Sequence, residues 1–247
     1  MLATQLKYDL LMFSREVFYM FFTIIIPPVT YIFMGQLYGE MTYDHGLNYA
    51  QSYTPSFILL ITFTVIFFAF GFDQVNHRIT GVEKRIRLSP VNKNILLASS
   101  ILRAIIITTL GYLMILSIGL VMYDLSFVLL DMFSSYAFFI AMNIVLLIMA
   151  SAIYSLFDNI NSALVFSIVI MQIVIFTSGF AQPINLMPNF IQVSAKLNPL
   201  YHMNNMFIDV WNGQLSLTIE TILAGSYIGL LLFVSVLIIR FMHKRKI

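Results

Sequence analysis

The hydrophobic positions of this chain form long continuous runs rather than short alternations. A helix needs about 20 apolar residues to cross a bilayer core of roughly 30 Å, and six stretches come close to that length. They lie approximately at 17–38, 56–73, 98–123, 132–155, 163–180 and 221–239. Each is predicted to be a helix, because a membrane span must satisfy its backbone hydrogen bonds internally. The pattern therefore predicts an all-α integral membrane protein with six transmembrane helices.

The composition agrees with this pattern. Hydrophobic residues make up 60% of the chain and charged residues 10%, and the mean hydropathy is +0.91. Too little polar surface remains to solvate a soluble globule. Residues 1–247 are expected to form a single transmembrane domain. The absence of Cys excludes disulfides, thiolate metal sites and a Cys nucleophile.

The basic residues predict the orientation. Twelve of the thirteen Lys and Arg residues fall before the first span, around the turn between spans 2 and 3, or after the last span. Only Lys196 lies on the other side. Because an excess of Lys and Arg marks cytoplasmic loops, both termini are predicted to be cytoplasmic.

The N-terminal residues 1–16 have helical periodicity before the first span. Leu2, Leu6, Leu10 and Phe13 share one face, and Lys7 lies away from it. This pattern predicts a helix lying in the inner membrane interface. An early start of span 1 is the alternative. Within span 1, the Pro27–Pro28 pair predicts a kink with freed backbone carbonyls.

Residues 77–92, here called the basic segment, read HRITGVEKRIRLSPVN. They are too polar to span a membrane and too many for a simple turn. A short helix over about 82–88, stopped by Pro90, would present a basic face to a partner beneath the membrane. A polybasic loop attracted to anionic lipid, at about 1 kcal/mol per basic residue, explains the same charges. The residues alone leave both interpretations open.

Two motifs resemble one family of transporters. In the basic segment, Gly81, Lys84, Arg85, Arg87, Ser89 and Pro90 match the run G-T-L-K-R-L-R-x-[ST]-P, with Val82 and Glu83 departing from it. Further along, Ser178-Gly179, Pro183, Pro188, Pro199 and Tyr201 match a pattern of Gly, Pro-rich turn, short helix and Pro-Leu-Tyr. Both resemble ABC-2 type permeases, the membrane subunits of one class of bacterial ATP-driven exporters.

The resemblance implies partners for this chain. A cytoplasmic ABC ATPase would dock on the basic segment, which would serve as a coupling helix. The ATPase would bind this segment in a partially acidic groove. The expected docking residues are Gly81, Val82, Glu83, Lys84, Arg85, Arg87, Leu88 and Pro90. ATP and Mg would be bound by that partner, so no cofactor is expected on this chain. No G-x-x-x-x-G-K-[ST] run occurs in the sequence, so the chain itself is not expected to be an enzyme.

The resemblance also implies an assembly and a location. A second permease copy or a close homologue would complete the pathway, as in a homodimer of permeases, and nucleic acid is not an expected partner. The expected location is the bacterial plasma membrane. Two pairs of glycines spaced four residues apart, Gly35 with Gly39 and Gly225 with Gly229, permit close helix packing within one chain or between two.

Residues 180–212 are predicted to form an outer re-entrant segment between spans 5 and 6. Their prolines exclude a continuous span. Short helices dipping into the outer leaflet are expected instead. The resemblance implies that this segment closes the outer end of the pathway, with Pro183, Pro188, Pro199 and Tyr201 as outer-gate residues. His202 is interpreted as a packed or interfacial side chain, and no metal site is expected.

The substrate is the least constrained property. No charged residue is predicted at mid-membrane, which argues against an ion route. Asn143 in span 4 and Gln172 in span 5 are the deepest polar residues, as interhelical hydrogen-bonding groups or as pathway contacts. The 23 Phe, 13 Tyr and 15 Met residues suit hydrophobic or amphipathic cargo, although packing and lipid contact require most of them.

Three functions follow for comparison. The first is an exporter of hydrophobic or amphipathic compounds, such as drugs or membrane-active peptides. The alternative is a flippase for lipid-linked polysaccharide of the O-antigen or teichoic-acid type. An intramembrane enzyme is disfavoured, because no set of catalytic residues can be brought together in the spans.

Overall fold

A computed structural model of the chain describes residues 2–43, 46–82, 93–123, 125, 129–180 and 182–245. All regular elements within those ranges are helices. Before the first loop they are Leu2–Arg15, Val17–Met20, a π-helical stretch Phe21–Ile25 and Ile26–Tyr38. The next helices are Tyr49–Thr64, a π-helical stretch Val65–Gly71, Phe72–Ile79, Lys93–Met122 and Leu129–Tyr154. The last are Ile160–Thr177, a 3₁₀ turn Ile184–Leu186, Asn189–Ala195, Pro199–Trp211 and Ile219–Arg245.

Six helical stretches in the described part of the chain are long and apolar enough to cross a membrane. In chain order, spans 1 to 6 are Phe21–Tyr38, Tyr49–Ile79, Ile95–Met122, Asp131–Tyr154, Ile160–Thr177 and Ile219–Met242. The prediction of an all-helical protein with six such spans is confirmed. The interfacial position of residues 1–16 and the re-entrant position of 180–212 stay predictions.

Successive spans run in opposite directions. Tyr49 contacts Tyr31 while Thr64 contacts Thr23, and Thr108 contacts Asn143, as expected for antiparallel neighbours. The ends of spans 2, 4 and 6 therefore lie together with the starts of spans 1, 3 and 5. Because every described Lys and Arg except Lys196 lies toward that end, we call it the basic end.

Span 2 is the core helix of the bundle. Fifteen of the sixteen residues in Tyr49–Thr64 are buried. The helix begins seven residues before the predicted start, with a capping box in which Gln51 N–H donates to Asn48 Oδ1 over 2.8 Å and Asn48 N–H donates to Gln51 Oε1 over 3.0 Å. Polar residues and a proline lower the hydropathy of Tyr49–Pro55, yet these residues pack against protein, so hydropathy alone placed the start of the span too late.

Pro55 leaves a backbone carbonyl of span 2 without its usual partner. In an α-helix the N–H of residue 55 would donate to the carbonyl of Gln51, and proline has no N–H. Asn212 Nδ2 donates to that carbonyl instead, over 3.2 Å. This bond fixes the start of span 2 to the end of the helix Pro199–Trp211.

The Pro27–Pro28 pair has a similar consequence in span 1. In an α-helix the N–H of residue 27 would donate to the carbonyl of Thr23, and in a π-helix the N–H of residue 28 would do so. Proline has no N–H, so neither residue can make this bond. The chain is π-helical just before the pair, over Phe21–Ile25. Thr64 Oγ1 of span 2 lies a long 3.4 Å from the freed carbonyl, and its one proton is shared with the carbonyl of Ile61 at 2.8 Å. The expected break in the helix is thus accommodated by a π-helical stretch and a contact with span 2.

Tyrosine hydroxyls connect spans 1 to 3 at the end opposite the basic end. Tyr49 donates to the carbonyl of Tyr31 over 2.7 Å, and Tyr123 donates to the carbonyl of Ile32 over 2.8 Å. The Tyr31 and Thr54 hydroxyls are 2.8 Å apart. Burial raises the pKa of the Tyr123 phenol. These bonds hold the three spans together at that end.

The two glycine pairs differ in their surroundings. A Cβ at Gly35 would overlap the Tyr123 ring, so this glycine permits close packing within the chain. At Gly225 and Gly229, a Cβ would have no atom within 4 Å from any other part of the described chain, apart from the adjacent residues and backbone of its own helix. Their face of span 6 is open, as are the neighbouring apolar side chains of Leu230 and Phe233.

We expect Asn212→Ala to destabilise the protein by about 1 kcal/mol, because the half-buried carbonyl of Gln51 would lose its side-chain donor. Unfolding in mixed detergent micelles would measure this loss. Asn205→Ala is the matched control, since Asn205 lies on the same helix with its side chain exposed. An equal effect of the two substitutions would contradict this account.

Candidate functional site

The end of span 2 is hydrogen-bonded to the end of span 4. Gln74 Nε2 donates to Ser151 Oγ over 2.9 Å, and Arg78 Nη1 donates to the carbonyl of Ser155 over 3.1 Å. Arg78 Nη2 donates to the carbonyl of Tyr154. The last carbonyls of a helix lack partners within it and carry partial negative charge. The Arg78 guanidinium therefore caps span 4 while it belongs to span 2, a contact we call the Arg78 clamp.

Span 2 ends in a turn that lies within the basic segment. Thr80 closes the helix, and Gly81 follows with φ of 71°, in the left-handed region where glycine has no steric penalty. The predicted docking residues Gly81 and Val82 lie at this exit, both half-buried. The other predicted docking residues, Glu83, Lys84, Arg85, Arg87, Leu88 and Pro90, fall outside the described residues.

Two further polar contacts join elements at the basic end. Asp73 of span 2 forms an ion pair with Arg103 of span 3, which is 9% exposed. Asp9 of the N-terminal helix accepts hydrogen bonds from Ser99 Oγ over 2.5 Å and from Gln5 Nε2 over 2.8 Å. Burial of a carboxylate is tolerable when its oxygens are hydrogen-bonded in this way. The N-terminal helix and span 2 are thus each fixed to span 3.

These contacts surround a cleft of about 560 Å³ that opens to the surface. It lies between the N-terminal helix, the end of span 2 and the starts of spans 3 and 5; we call it the inner cleft. Its polar lining residues are Gln5, Asp9, Glu16, Asp73, Asn76, His77, Ser100 and Arg103. Its apolar lining residues are Met12, Phe13, Phe68, Ala69, Phe72, Val82, Leu96, Ile160 and Leu164. An apolar cleft with a few polar groups is the usual form of a small-molecule site.

The wall of the inner cleft on span 2 is not regular α-helix. Phe68 and Ala69 belong to the π-helical stretch Val65–Gly71. A π-helical turn changes the direction of the side chains that follow it and is frequent at functional sites. Phe68 and Phe72 stack with ring centroids 6.3 Å apart. The stretch therefore provides an aromatic wall beside the polar lining.

Tyr154 packs behind this wall. Its ring lies 6.0 Å from those of Phe67 and Phe72, and its hydroxyl is hydrogen-bonded to Ser167 of span 5. Its backbone carbonyl receives Arg78. One buried residue at the end of span 4 thus contacts spans 2 and 5.

The two predicted pathway residues lie apart from the inner cleft. Asn143 is fully buried between spans 3 and 4, where its Oδ1 accepts from Thr108 Oγ1 over 2.9 Å. Its Nδ2 donates to the carbonyl of Phe139 over 2.9 Å. This agrees with the interhelical interpretation of Asn143. Gln172 is exposed on span 5, and its contact with substrate stays a prediction.

The predicted outer-gate residues lie among short helices between spans 5 and 6. Pro183 precedes the 3₁₀ turn, Pro188 precedes Asn189–Ala195, and Pro199 is the first residue of Pro199–Trp211. Tyr201 is half-buried on that last helix. The prolines begin helices, as their fixed φ favours. The gating role of these four residues stays a prediction.

Hydrogen bonds hold these outer helices to the spans. Asn198 Nδ2 donates to Thr177 Oγ1 at the end of span 5 over 2.7 Å, and Tyr227 of span 6 donates to the carbonyl of Leu197 over 2.8 Å. His202 Nε2 lies 2.8 Å from the carbonyl of Lys196, consistent with a packed side chain.

Four charged residues of the inner cleft were not singled out from the sequence: Asp9, Glu16, Asp73 and Arg103. Asp9 follows Leu6 by three residues and precedes Phe13 by four, so it occupies an apolar position of the N-terminal helix. A carboxylate at an apolar position of a helix is the sequence feature that could have identified Asp9 as a candidate site residue. Asp73 and Arg103 lie in the helical ends on either side of the basic segment, and only the fold brings them together.

Comparison with known proteins identifies the family. The model of the family described as ABC-2 type transporter matches residues 2–211, which include the N-terminal helix, five spans and the outer helices. Comparison with curated proteins gave no significant match. Because the family match covers most of the chain, the protein belongs to the ABC-2 type transporter membrane family, as a permease component whose ATPase activity resides in a separate subunit.

Proposed function

We propose that this chain is the permease subunit of an exporter that moves hydrophobic or amphipathic compounds, such as drugs or membrane-active peptides. Cargo would enter from the cytoplasm or the inner leaflet and leave outward, driven by ATP hydrolysis in the partner subunit. The observation that carries the proposal is the position of the inner cleft. The cleft lies beside the end of span 2, and Val82 belongs both to the cleft lining and to the basic segment.

The orientation is part of this proposal. The basic end faces the cytoplasm of a bacterial cell, as the positive-inside rule requires. The inner cleft then opens at the level of the inner leaflet, where amphipathic compounds accumulate. The outer helices between spans 5 and 6 close the opposite end of the pathway.

The ATPase docks on the basic segment, with Arg85 and Arg87 providing charge complementarity and Val82 and Leu88 providing apolar packing. A docked partner displaces the exit of span 2 when its nucleotide state changes. The Arg78 clamp transmits this displacement to span 4, and the Asp73–Arg103 ion pair transmits it to span 3. Transport then requires two global states that expose the inner cleft differently.

A second permease copy or a close homologue completes the pathway, so that two permeases carry two ATPases. The apolar side chains exposed on spans 5 and 6, such as Val165, Val169 and Phe233, support a covering by lipid and by such a partner. In the most hydrophobic stretches of spans 5 and 6, only 22% and 17% of the residues are buried within the chain.

We expect a single cysteine at Arg85 to capture the ATPase in native membranes, because the chain contains no other cysteine and docking would bring the partner within reach of a short cross-linker. Mass spectrometry of the product identifies the partner. Gln214→Cys is the control, since Gln214 is exposed at the opposite end of the bundle.

Capture of a P-loop protein by the Arg85→Cys variant alone would support docking on the basic segment. Reaction with lipid alone, also at Val82→Cys, would instead favour the polybasic-loop interpretation. Stimulation of the captured ATPase by lipid-linked polysaccharide, but not by amphipathic compounds, would favour the flippase.

We expect Arg78→Gln to uncouple transport from ATP hydrolysis. Hydrogen bonds of a charged group contribute about 1.5–3 kcal/mol, so cargo transport per ATP hydrolysed should fall about tenfold to a hundredfold. Reconstituted vesicles that contain the captured ATPase allow both rates to be measured. Arg240→Gln, which removes an exposed charge of span 6 at the same end, should change neither rate. Unchanged coupling in the Arg78→Gln vesicles would show that the clamp does not transmit the motion.

A further inference from the structure

We propose that the inner cleft is a binding site for amphipathic organic cations. The inference rests on the proposed function, because it names the class of cargo that the same cleft admits. Three properties of the cleft carry it: its size, its aromatic wall and the sign of its charge.

The size fits one drug-sized molecule. The volume of about 560 Å³ lies within the range of roughly 300–1,000 Å³ that is usual for small-molecule sites. The cleft is also formed by several elements rather than by one loop, since the N-terminal helix and three spans contribute to it. Its shape is therefore fixed by the packing of the bundle.

The aromatic wall suits a cation with apolar substituents. Phe13, Phe68 and Phe72 line the cleft. An aromatic face attracts a cation through its quadrupole and an apolar group through the hydrophobic effect. A ligand with both a positive charge and apolar groups would be attracted by the same rings in both ways.

The charge of the lining is negative. Among the described residues, three carboxylates, those of Asp9, Glu16 and Asp73, line the cleft together with the guanidinium of Arg103 and the imidazole of His77. Asp73 and Arg103 form an ion pair, so their charges offset each other. Two carboxylates remain, and no ion pair to a basic residue is found for either within the described part of the chain.

The hydrogen-bond partners of Asp9 carry no charge. Its donors, Ser99 and Gln5, are neutral side chains, so they form no ion pair with the carboxylate. Glu16 is exposed at the junction between the N-terminal helix and the start of span 1. An organic cation entering from the inner leaflet would meet Glu16 near the opening and Asp9 deeper in the cleft.

The same charge disfavours anions. A carboxylate or phosphate group in the cleft would face two like charges, and like charges in a partly desolvated site repel strongly. Lipid-linked polysaccharide carries phosphate, so the lining discriminates against this alternative cargo.

Tetraphenylphosphonium and tetraphenylborate test the inference, because they have nearly the same size and shape with opposite charge. The full chain in lipid nanodiscs is titrated with each labelled ion, and empty nanodiscs give the background. We expect saturable binding of the phosphonium and none of the borate. Glu16→Gln should raise the Kd of the phosphonium by about threefold to tenfold, because one attracting charge is lost in a partly solvated site.

Matched variants distinguish the loss of a carboxylate charge from the loss of folding. Asp9→Asn should also weaken phosphonium binding, while Glu220→Gln, an exposed carboxylate at the opposite end, should leave it unchanged. If Asp9→Asn fails to fold, Glu16→Gln still decides, since the Glu16 side chain is exposed and makes no hydrogen bond to another residue that the structure describes. Equal binding of the two ions, absence of phosphonium binding, or insensitivity to Glu16→Gln would overturn the inference.

The binding assay contains no ATPase, so its outcome is distinct from that of the proposed function. Cation binding without capture of an ATPase by the Arg85→Cys variant would retain the site and reject ATP-driven export. Capture of the ATPase together with equal binding of both ions would retain the exporter and reject the cation preference.

Discussion

The hydrogen bonds of Arg78 to the carbonyls of Tyr154 and Ser155 are the contact on which the basic end depends. The first part of span 2, Tyr49–Thr64, is buried by the other helices, whereas at its end, Phe72–Ile79, only Val75 is buried. Polar contacts therefore fix this end: the clamp joins it to span 4, and the Asp73–Arg103 ion pair joins it to span 3. In the proposed docking mode, a force applied at the basic segment would act on all three spans.

The requirement to satisfy every backbone group explains the irregular parts of the fold. In a membrane no water is available for an orphaned carbonyl. The carbonyl that Pro55 leaves without a donor is bonded by Asn212, and the one that Pro27 leaves is bonded by Thr64. Each proline thus makes a tertiary contact necessary. Both contacts involve span 2, which is consistent with its position at the centre of the bundle.

The sequence predicted the elements better than their contacts. Hydropathy located all six spans, because lipid exposure requires continuous apolar runs, but it shortened span 2, whose first residues are polar and packed against protein. The partner of Asn143 could not be predicted, since any of several polar residues on span 3 was available. For the same reason, the hydrogen bond from Ser99 to Asp9, which is 90 residues away in the chain, could not be predicted. Periodicity identifies a face of a helix but not the residue opposite it.

The two signs of charge at the basic end serve different surfaces. Its loops and chain ends carry Lys and Arg, which suit anionic lipid headgroups and an acidic groove of a partner, whereas the lining of the inner cleft carries an excess of carboxylates. The formal net charge of +2 therefore says nothing about the cargo. In the proposed orientation, anionic headgroups would concentrate amphipathic cations in the leaflet beside the cleft. A cation moving from that leaflet into the proposed site would exchange one anionic environment for another. An anionic compound would be repelled by both the headgroups and the carboxylates of the lining.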